Sequence, residues 1–241
     1  MCTVTYLPQN NNGFILTSNR DEDIARQIAL PVAKYVVNDR SIYFPKDLNA
    51  GGTWIATGSN GFTVCLLNGA FKAHTSSGNY KRSRGLVVLD FFNYTSQYDF
   101  IEQYDFSNIE PFTLIFVKHT NNTIGVCELR WDGEKTHHIN YDASLPHIWS
   151  SVTLYNDEVI HQRQNWFNDW VKNNSIFTRD AILMFHHFGG TGDNQNDIVI
   201  NRPTKRTVSI CCINKINTTD TEIIYEDVIN KKFYSNKIIT A

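Results

Sequence analysis

The segments Cys2-Thr3-Val4-Thr5-Tyr6, Asn10-Asn11-Asn12-Gly13 and Phe14-Ile15-Leu16-Thr17-Ser18-Asn19-Arg20-Asp21-Glu22-Asp23 decide how this chain is read. Cys2, Val4 and Tyr6 alternate with Thr3 and Thr5, the period of a half-buried strand. The Asn-rich cluster ending in Gly13 is a turn, and Phe14–Thr17 resumes extended structure, which predicts a hairpin. A hairpin brings the end of its second strand back beside the beginning of its first. The polar run Asn19-Arg20-Asp21-Glu22 is thereby delivered close to Cys2, at the head of a loop expected from Asn19 to about Lys34.

A small residue after Met1 favours removal of the initiator methionine, leaving Cys2 as the terminus with both a thiol and a free α-amine. An α-amine titrates at about 7.7–8.0 and a thiol at about 8.5, so one residue then carries a nucleophile and its own base. Beside it, Arg20 can hold a thiolate or a substrate carboxylate by a charge-assisted hydrogen bond, and Asp21 can accept from the α-ammonium.

Outward from this hairpin, strands are expected near Ile42–Phe44 and over Thr53–Ala56, then Phe62–Leu67 after the Asn60-Gly61 turn. Gly51-Gly52-Thr53-Trp54 reads as structural, with the glycines permitting tight or left-handed backbone and Trp54 packing in the sheet or roofing a pocket. Ser83–Tyr94 is read as a buried helix. Phe112–Val117, Thr123–Arg130 and Lys135–Ile139 form a meander turned by Asp132-Gly133. Asn156–Val171 is an amphipathic helix with Asp157 and Glu158 at its positive end. Its apolar face carries Tyr155, Val159, Trp166 and Trp170 beside Ile160, Phe167 and Val171. Arg179–His187 is a second helix, capped by Thr178 and stopped by Gly189-Gly190. Strands return at Arg206–Ile213 and Glu222–Tyr225. Strands, helices and strands again, with no linker or repeat in the 241 residues, predict one α+β domain over residues 1–241 with sheets between helical layers.

Composition narrows the function. With 22 Lys plus Arg against 24 Asp plus Glu, the net charge is −2, and no basic stripe points to nucleic acid. Apolar runs such as Gly85–Leu89 and Ile182–Phe185 fall far short of the roughly 20 residues of a spanning helix, and no secretory signal pattern opens the chain. Five unframed cysteines, Cys2, Cys65, Cys127, Cys211 and Cys212, suit a reducing cytoplasm. His137-His138 and His186-His187 are adjacent pairs whose side chains diverge, and no His-x-x-x-His or Cys-x-x-Cys spacing supports a metal. His186 and His187 fall in a helix's last turn, where positive charge is mildly favourable. Cys211 and Cys212 lie on opposite faces of a strand, one of them in the core. Gly189-Gly190-Thr191-Gly192-Asp193 lacks the Lys-Ser/Thr of a phosphate loop and is read as a helix cap or pocket lid.

Met1-Cys2-Thr3, Asn19-Arg20-Asp21-Glu22, Gly51-Gly52-Thr53-Trp54 and Leu67-Asn68, in this order, together resemble the NRDE family, also named after the Transport and Golgi organisation protein 2. Trp149-Ser150-Ser151 and Lys205-Arg206-Thr207-Val208-Ser209 add support late in the chain. That family resembles in turn the N-terminal-nucleophile hydrolases of the choloylglycine hydrolase and penicillin V acylase type. The resemblance implies a four-layer αββα sandwich and hydrolysis, or acyl transfer, at a non-peptide amide of a small molecule, with no cofactor. Carried over residue by residue, it implies Cys2 as nucleophile, Asp21 as orienter of the amine and Asn68 as oxyanion donor. Arg20 and Arg206 would tune the thiolate. Asn19, Trp54 and Ser151 would line the substrate site. Two positions depart from the hydrolase pattern: Ser18 stands where an arginine is expected, and Ser151 where a second asparagine is. The alternative is a non-catalytic protein that binds or carries a lipid, acyl group or haem on the same fold.

Overall fold

The computed structural model describes residues 3–10, 12–76, 78–121 and 123–239. In chain order the elements are β1 (Thr3–Gln9), β2 (Gly13–Asp23), β3 (Leu30–Val37), β4 (Arg40–Lys46), β5 (Ile55–Gly58) and β6 (Phe62–Asn68). Helices α1 (Arg84–Phe91) and α2 (Gln97–Gln103) precede β7 (Phe112–His119), β8 (Ile124–Trp131), β9 (Thr136–Tyr141) and β10 (His147–Ser150). Helices α3 (Asp157–Asn173) and α4 (Arg179–Phe188) then lead to β11 (Lys205–Lys215), β12 (Asp220–Asp227) and β13 (Lys232–Ile239).

These strands form two antiparallel sheets, a six-stranded one in the order β10-β1-β2-β11-β12-β13 and a seven-stranded one running β3 to β9 in sequence order. Helix α1 lies on β5 and β6, while α3 covers β10 and α4 covers β2 and β11. The result is the four-layer αββα sandwich.

Period-two alternation gives each strand of the six-stranded sheet two jobs. Val4, Tyr6, Phe14, Leu16, Cys211 and Ile213 join the large core that includes the seven-stranded sheet, whereas Leu7, Ile15, Ile210 and Cys212 pack beneath α3 and α4. Cys211 and Cys212 are therefore both core residues, one on each face, where one had been expected.

Several expectations from sequence change. The loop predicted from Asn19 is strand as far as Asp23, and β3 starts at Leu30. Strand β2 sits between β1 and β11, whose pairing continues to Lys205↔Asp23, so its polar end is held by ladder bonds on both sides. The strand expected at Thr53 begins at Ile55 instead, because the Thr53 N–H donates to Gly85 O on α1 at 3.0 Å. The turns behave as read: Gly61 (φ +80°) and Gly133 (φ +105°) take left-handed backbone at their hairpins. On α3 the deepest side chains are Phe167 and, unexpectedly, Arg163, which is fully buried.

Candidate active site

Cys2 lies outside the described residues; the first described position is Thr3, held on three sides. In the ladder it pairs with Asn19 of β2 and with Ser150 of β10, and its hydroxyl accepts from Arg163 Nη1 at 2.6 Å. Arg163 also donates through Nε to Asn196 O at 3.0 Å and through Nη2 to Asp197 O. Its guanidinium lies 3.6 Å from the Tyr155 ring centroid. This buried arginine was not singled out from sequence. An arginine in an amphipathic helix looks like a solvent-facing residue, and only its depth shows that it clamps the first strand.

The Asn19-Arg20-Asp21-Glu22 run does not gather as one cluster, because β2 turns alternate residues to opposite faces. Toward α3 and α4, Asn19 Nδ2 donates to the carbonyls of His186 and Ile198, both at 3.0 Å. Its Oδ1 is thus left as an acceptor, so the His186 ring proton sits on Nδ1, 2.6 Å away. His186 Nε2 then accepts from the Thr5 hydroxyl at 2.8 Å. Burial, with Arg163 and His187 nearby, pushes the His186 pKa down to about 3. The positive charge expected at this helix end is therefore absent from His186. Asp21, on the same face, accepts from Tyr155 Oη at 2.8 Å and from Thr207 Oγ1.

On the opposite face Arg20 is 3% exposed. Its Nη2 meets Asp47 Oδ2 at 2.5 Å and Glu22 at 3.4 Å, and its guanidinium covers the Trp54 ring at 4.6 Å. Arg26 shares Asp47 through two bonds at 3.1 and 3.0 Å. Burial alone would raise the Asp47 and Glu22 carboxyls. At Asp47 the bond from Arg26, the Ala50 N–H and the charges of Arg20 and Arg26 outweigh it, and both carboxyls are held below the usual range. Burial pulls the Arg20 guanidinium down, against the pull of Glu22 and Asp47. Arg206 sits across the ladder from Glu22, half-buried, and its buried Nε has no partner among the described residues. Ser18 projects between the sheets with the hydrogen-bonding partner Cys65, whose thiol burial raises to about 12.

Two cavities meet at Asn68, the last residue of β6, which lines both. The first, of about 490 Å³, is walled by Leu67, Phe71, Trp149, Ser150 and Phe167 among others. The second, of about 540 Å³, is walled by Arg20, Glu22, Asp47, Trp54, Arg84 and Lys205 among others. Ser151 lies buried at the seam, donating to Asn68 O at 2.8 Å and meeting Thr153 Oγ1 at 3.0 Å. It ties the end of β10 to the end of β6. Arg20, Trp54 and Asn68 are thus brought to shared cavity walls, while Asn19, Asp21 and Ser151 are buried anchors around them.

The Gly51-Gly52-Thr53-Trp54 motif builds one of these walls. Gly51 turns with φ +71°, and a Cβ on Gly52 would lie 2.3 Å from Gly85 C. Only glycine lets this segment lie against the first turn of α1. The other tempting signals find local partners. His137 meets Asp132 at 2.6 Å and His187 meets Glu226 at 2.7 Å. Asp197 accepts from the N–H groups of Thr191 and Gly192 at 2.9 and 2.7 Å, folding the glycine-rich loop on itself. Among the described residues no group of three or more His, Cys, Asp or Glu side chains could hold a metal ion, and no helix is long and apolar enough to cross a membrane.

The family model described as Transport and Golgi organisation 2 matches residues 1–226. No curated protein matches the chain in sequence. Among solved structures, the chain is similar to the Caenorhabditis elegans N-acylethanolamine-hydrolyzing acid amidase ortholog, with a TM-score of 0.62 at 12% identity over 88% of this chain and 92% of that one. It is also similar to a variant of the conjugated bile acid hydrolase from Clostridium perfringens, with a TM-score of 0.54 at 11% identity over 98% and 92%. Both similarities are of fold, and both neighbours are amidohydrolases.

Proposed function

From the premise that this chain belongs to the Transport and Golgi organisation 2 family and has an N-terminal-nucleophile hydrolase fold, we propose that it is a cysteine amidohydrolase acting on a small-molecule amide. Removal of Met1 frees the α-amine of Cys2, which takes the thiol proton as sulfur attacks the amide carbonyl. Asn68 donates its amide N–H to the tetrahedral oxyanion, a contribution of about 3–4 kcal/mol for a well-aimed donor. The proton passes to the departing amine, the C–N bond breaks, and a thioester remains on Cys2. Water, deprotonated by the same α-amine, hydrolyses it to the acid and restores the thiol. The reaction would take place in the cytoplasm.

The observation that carries this reading is the setting of Thr3. Its cross-strand partner Ser150 lines the first cavity, Arg20 next to its other partner Asn19 lines the second, and Asn68 lines both. Thr3 is thus laddered to one strand that reaches the first cavity and to another that reaches the second, and Arg163 fixes it in place. Intact-mass analysis before and after a limiting dose of iodoacetamide, with peptide mapping, tests the nucleophile. The expected outcome is loss of Met1 with labelling concentrated at Cys2. Cys2→Ser should then stay folded and lose about 100-fold or more of amide turnover, and Asn68→Ala about 100- to 1,000-fold in kcat. Retained Met1, or an inert Cys2, removes the amine base and leaves the ligand-binding alternative.

A further inference from the structure

The second cavity has a charge arrangement that hydrolysis of a neutral amide does not call for. Its walls carry Arg20, Arg26, Arg82, Arg84 and Lys205. Four of these five cations have acid partners: Arg20 and Arg26 share Asp47, Arg82 pairs with Asp90, and Arg84 with Glu110 at 3.0 Å. Lys205 has none among the described residues. Asp23, its cross-strand neighbour, gives its carboxylate to the Ala25 N–H at 2.9 Å. Glu110 is divided between Arg84 and His74, and burial lowers the Arg84 pKa against the pull of Glu110 and Glu22.

Two further donor groups belong to residues of the same wall. Ser83, Arg84 and Gly85, the start of α1, are part of the wall, and the Ser83 side chain makes no capping bond. The positive end of the helix is therefore presented to the cavity without a side-chain cap. Trp54 is 1% exposed and lines the cavity, and its buried indole N–H has no acceptor among the described residues. A buried donor without an acceptor costs about 1–3 kcal/mol unless a ligand or water supplies one.

We propose that the second cavity binds an oxyanion group of the substrate, a carboxylate or a phosphate, held by Lys205, Arg84, the start of α1 and the Trp54 indole N–H. This rests on reading the Asn68 junction as the place where the amide lies. The amide carbonyl then sits between an anion-binding cavity and the cavity walled by Leu67, Phe71 and Trp149, and the enzyme selects amides that bear a negative charge on one side of the scissile bond.

The test is equilibrium binding, by titration calorimetry, of three matched amides to the full-length Cys2→Ala protein. They are N-hexanoylglycine, its uncharged glycinamide, and N-hexanoyl-aminoethyl phosphate. The expected result is that at least one anion binds about tenfold or more tightly than the neutral amide, and the better anion identifies the group. Lys205→Met should abolish that preference, while Lys172→Met, on the exposed face of α3, should keep it. Equal binding of all three, no binding of any, or a preference that survives Lys205→Met overturns the anion site. Because Cys2→Ala cannot turn over, failure of the nucleophile assignment does not affect this measurement. Activated Cys2 with no charge preference would overturn the anion site alone.

Discussion

His186 shows how much a single buried side chain can hold. Its two ring nitrogens join Asn19 on β2 to Thr5 on β1, locking the hairpin from its helix-covered side. Held neutral, it makes stability pH-dependent with a definite sign. The unfolded chain protonates this ring near its ordinary pKa of about 6.5, whereas the folded one resists down to about 3. Its stabilising contribution is thus complete above the unfolded pKa and is lost as pH falls toward the folded one, at up to about 1.4 kcal/mol per pH unit. Urea unfolding at pH 7 and pH 5 should show His186→Gln less stable at pH 7 by about 1–3 kcal/mol. Its decline toward pH 5 should be shallower than the parent's; equal slopes would contradict the assignment. At this scale Arg20 and Asp21 stand out in the sequence because a run of polar residues beside an apolar strand is unusual, whereas Asn68 was legible only through the family resemblance. Arg163 and His186 do not, since one polar residue on a helix reads as solvent-facing until the packing around it is known.

At the scale of elements, the segment before β5 and the start of α1 behave as one unit joined through glycine. Because the atoms nearest a Gly52 Cβ are Gly85 backbone C at 2.3 Å and O at 2.5 Å, no side-chain rotation can relieve the clash. Gly52→Ala should cost about 1–3 kcal/mol, seen as a drop of several degrees in thermal midpoint, and should loosen the wall formed by Ser83, Arg84 and Gly85. An unchanged midpoint would show that α1 is not seated as described. Elements with clear periodicity or a glycine turn were legible, namely the first hairpin, the Asn60-Gly61 hairpin and the two long helices. Strands β3, β10 and β13 were not. β10 is only four residues long, and β3 and β13 are edge strands with largely exposed side chains, so neither leaves a clean alternation. The short helix α2, with Phe100 packed among Phe91, Tyr94, Tyr104, Phe106 and Phe116, is defined by the aromatic cluster it fills rather than by its own pattern.

For the molecule as a whole, strand-helix-strand order suggested the layers, and the family resemblance supplied their number. The strand order in the first sheet was not legible, since β10 and β11 join β1 and β2 from far along the chain. Burial across both cores silences four of the five cysteines. Cys65, Cys127, Cys211 and Cys212 are all buried, and burial raises every one of their thiols, Cys127 to about 11 and Cys212 to about 12. A disulfide-exchange thiol titration should count no more than one reactive thiol per native chain, and five after denaturation; two fast native thiols would contradict the packing. The placement of β1 between β2 and β10 also bears on how the protein is made. Asp21 receives its bond from Thr207, 186 residues later, and Thr3 cannot pair with Ser150 until that residue has left the ribosome. At about 5–20 residues per second of synthesis, the interval from Asp21 to Thr207 is roughly 10–40 seconds. Strand β2 waits that long for β11, and β1 waits for β10, so the middle of the first sheet, which carries Asn19, Arg20 and Asp21, is among the last parts of the fold to close.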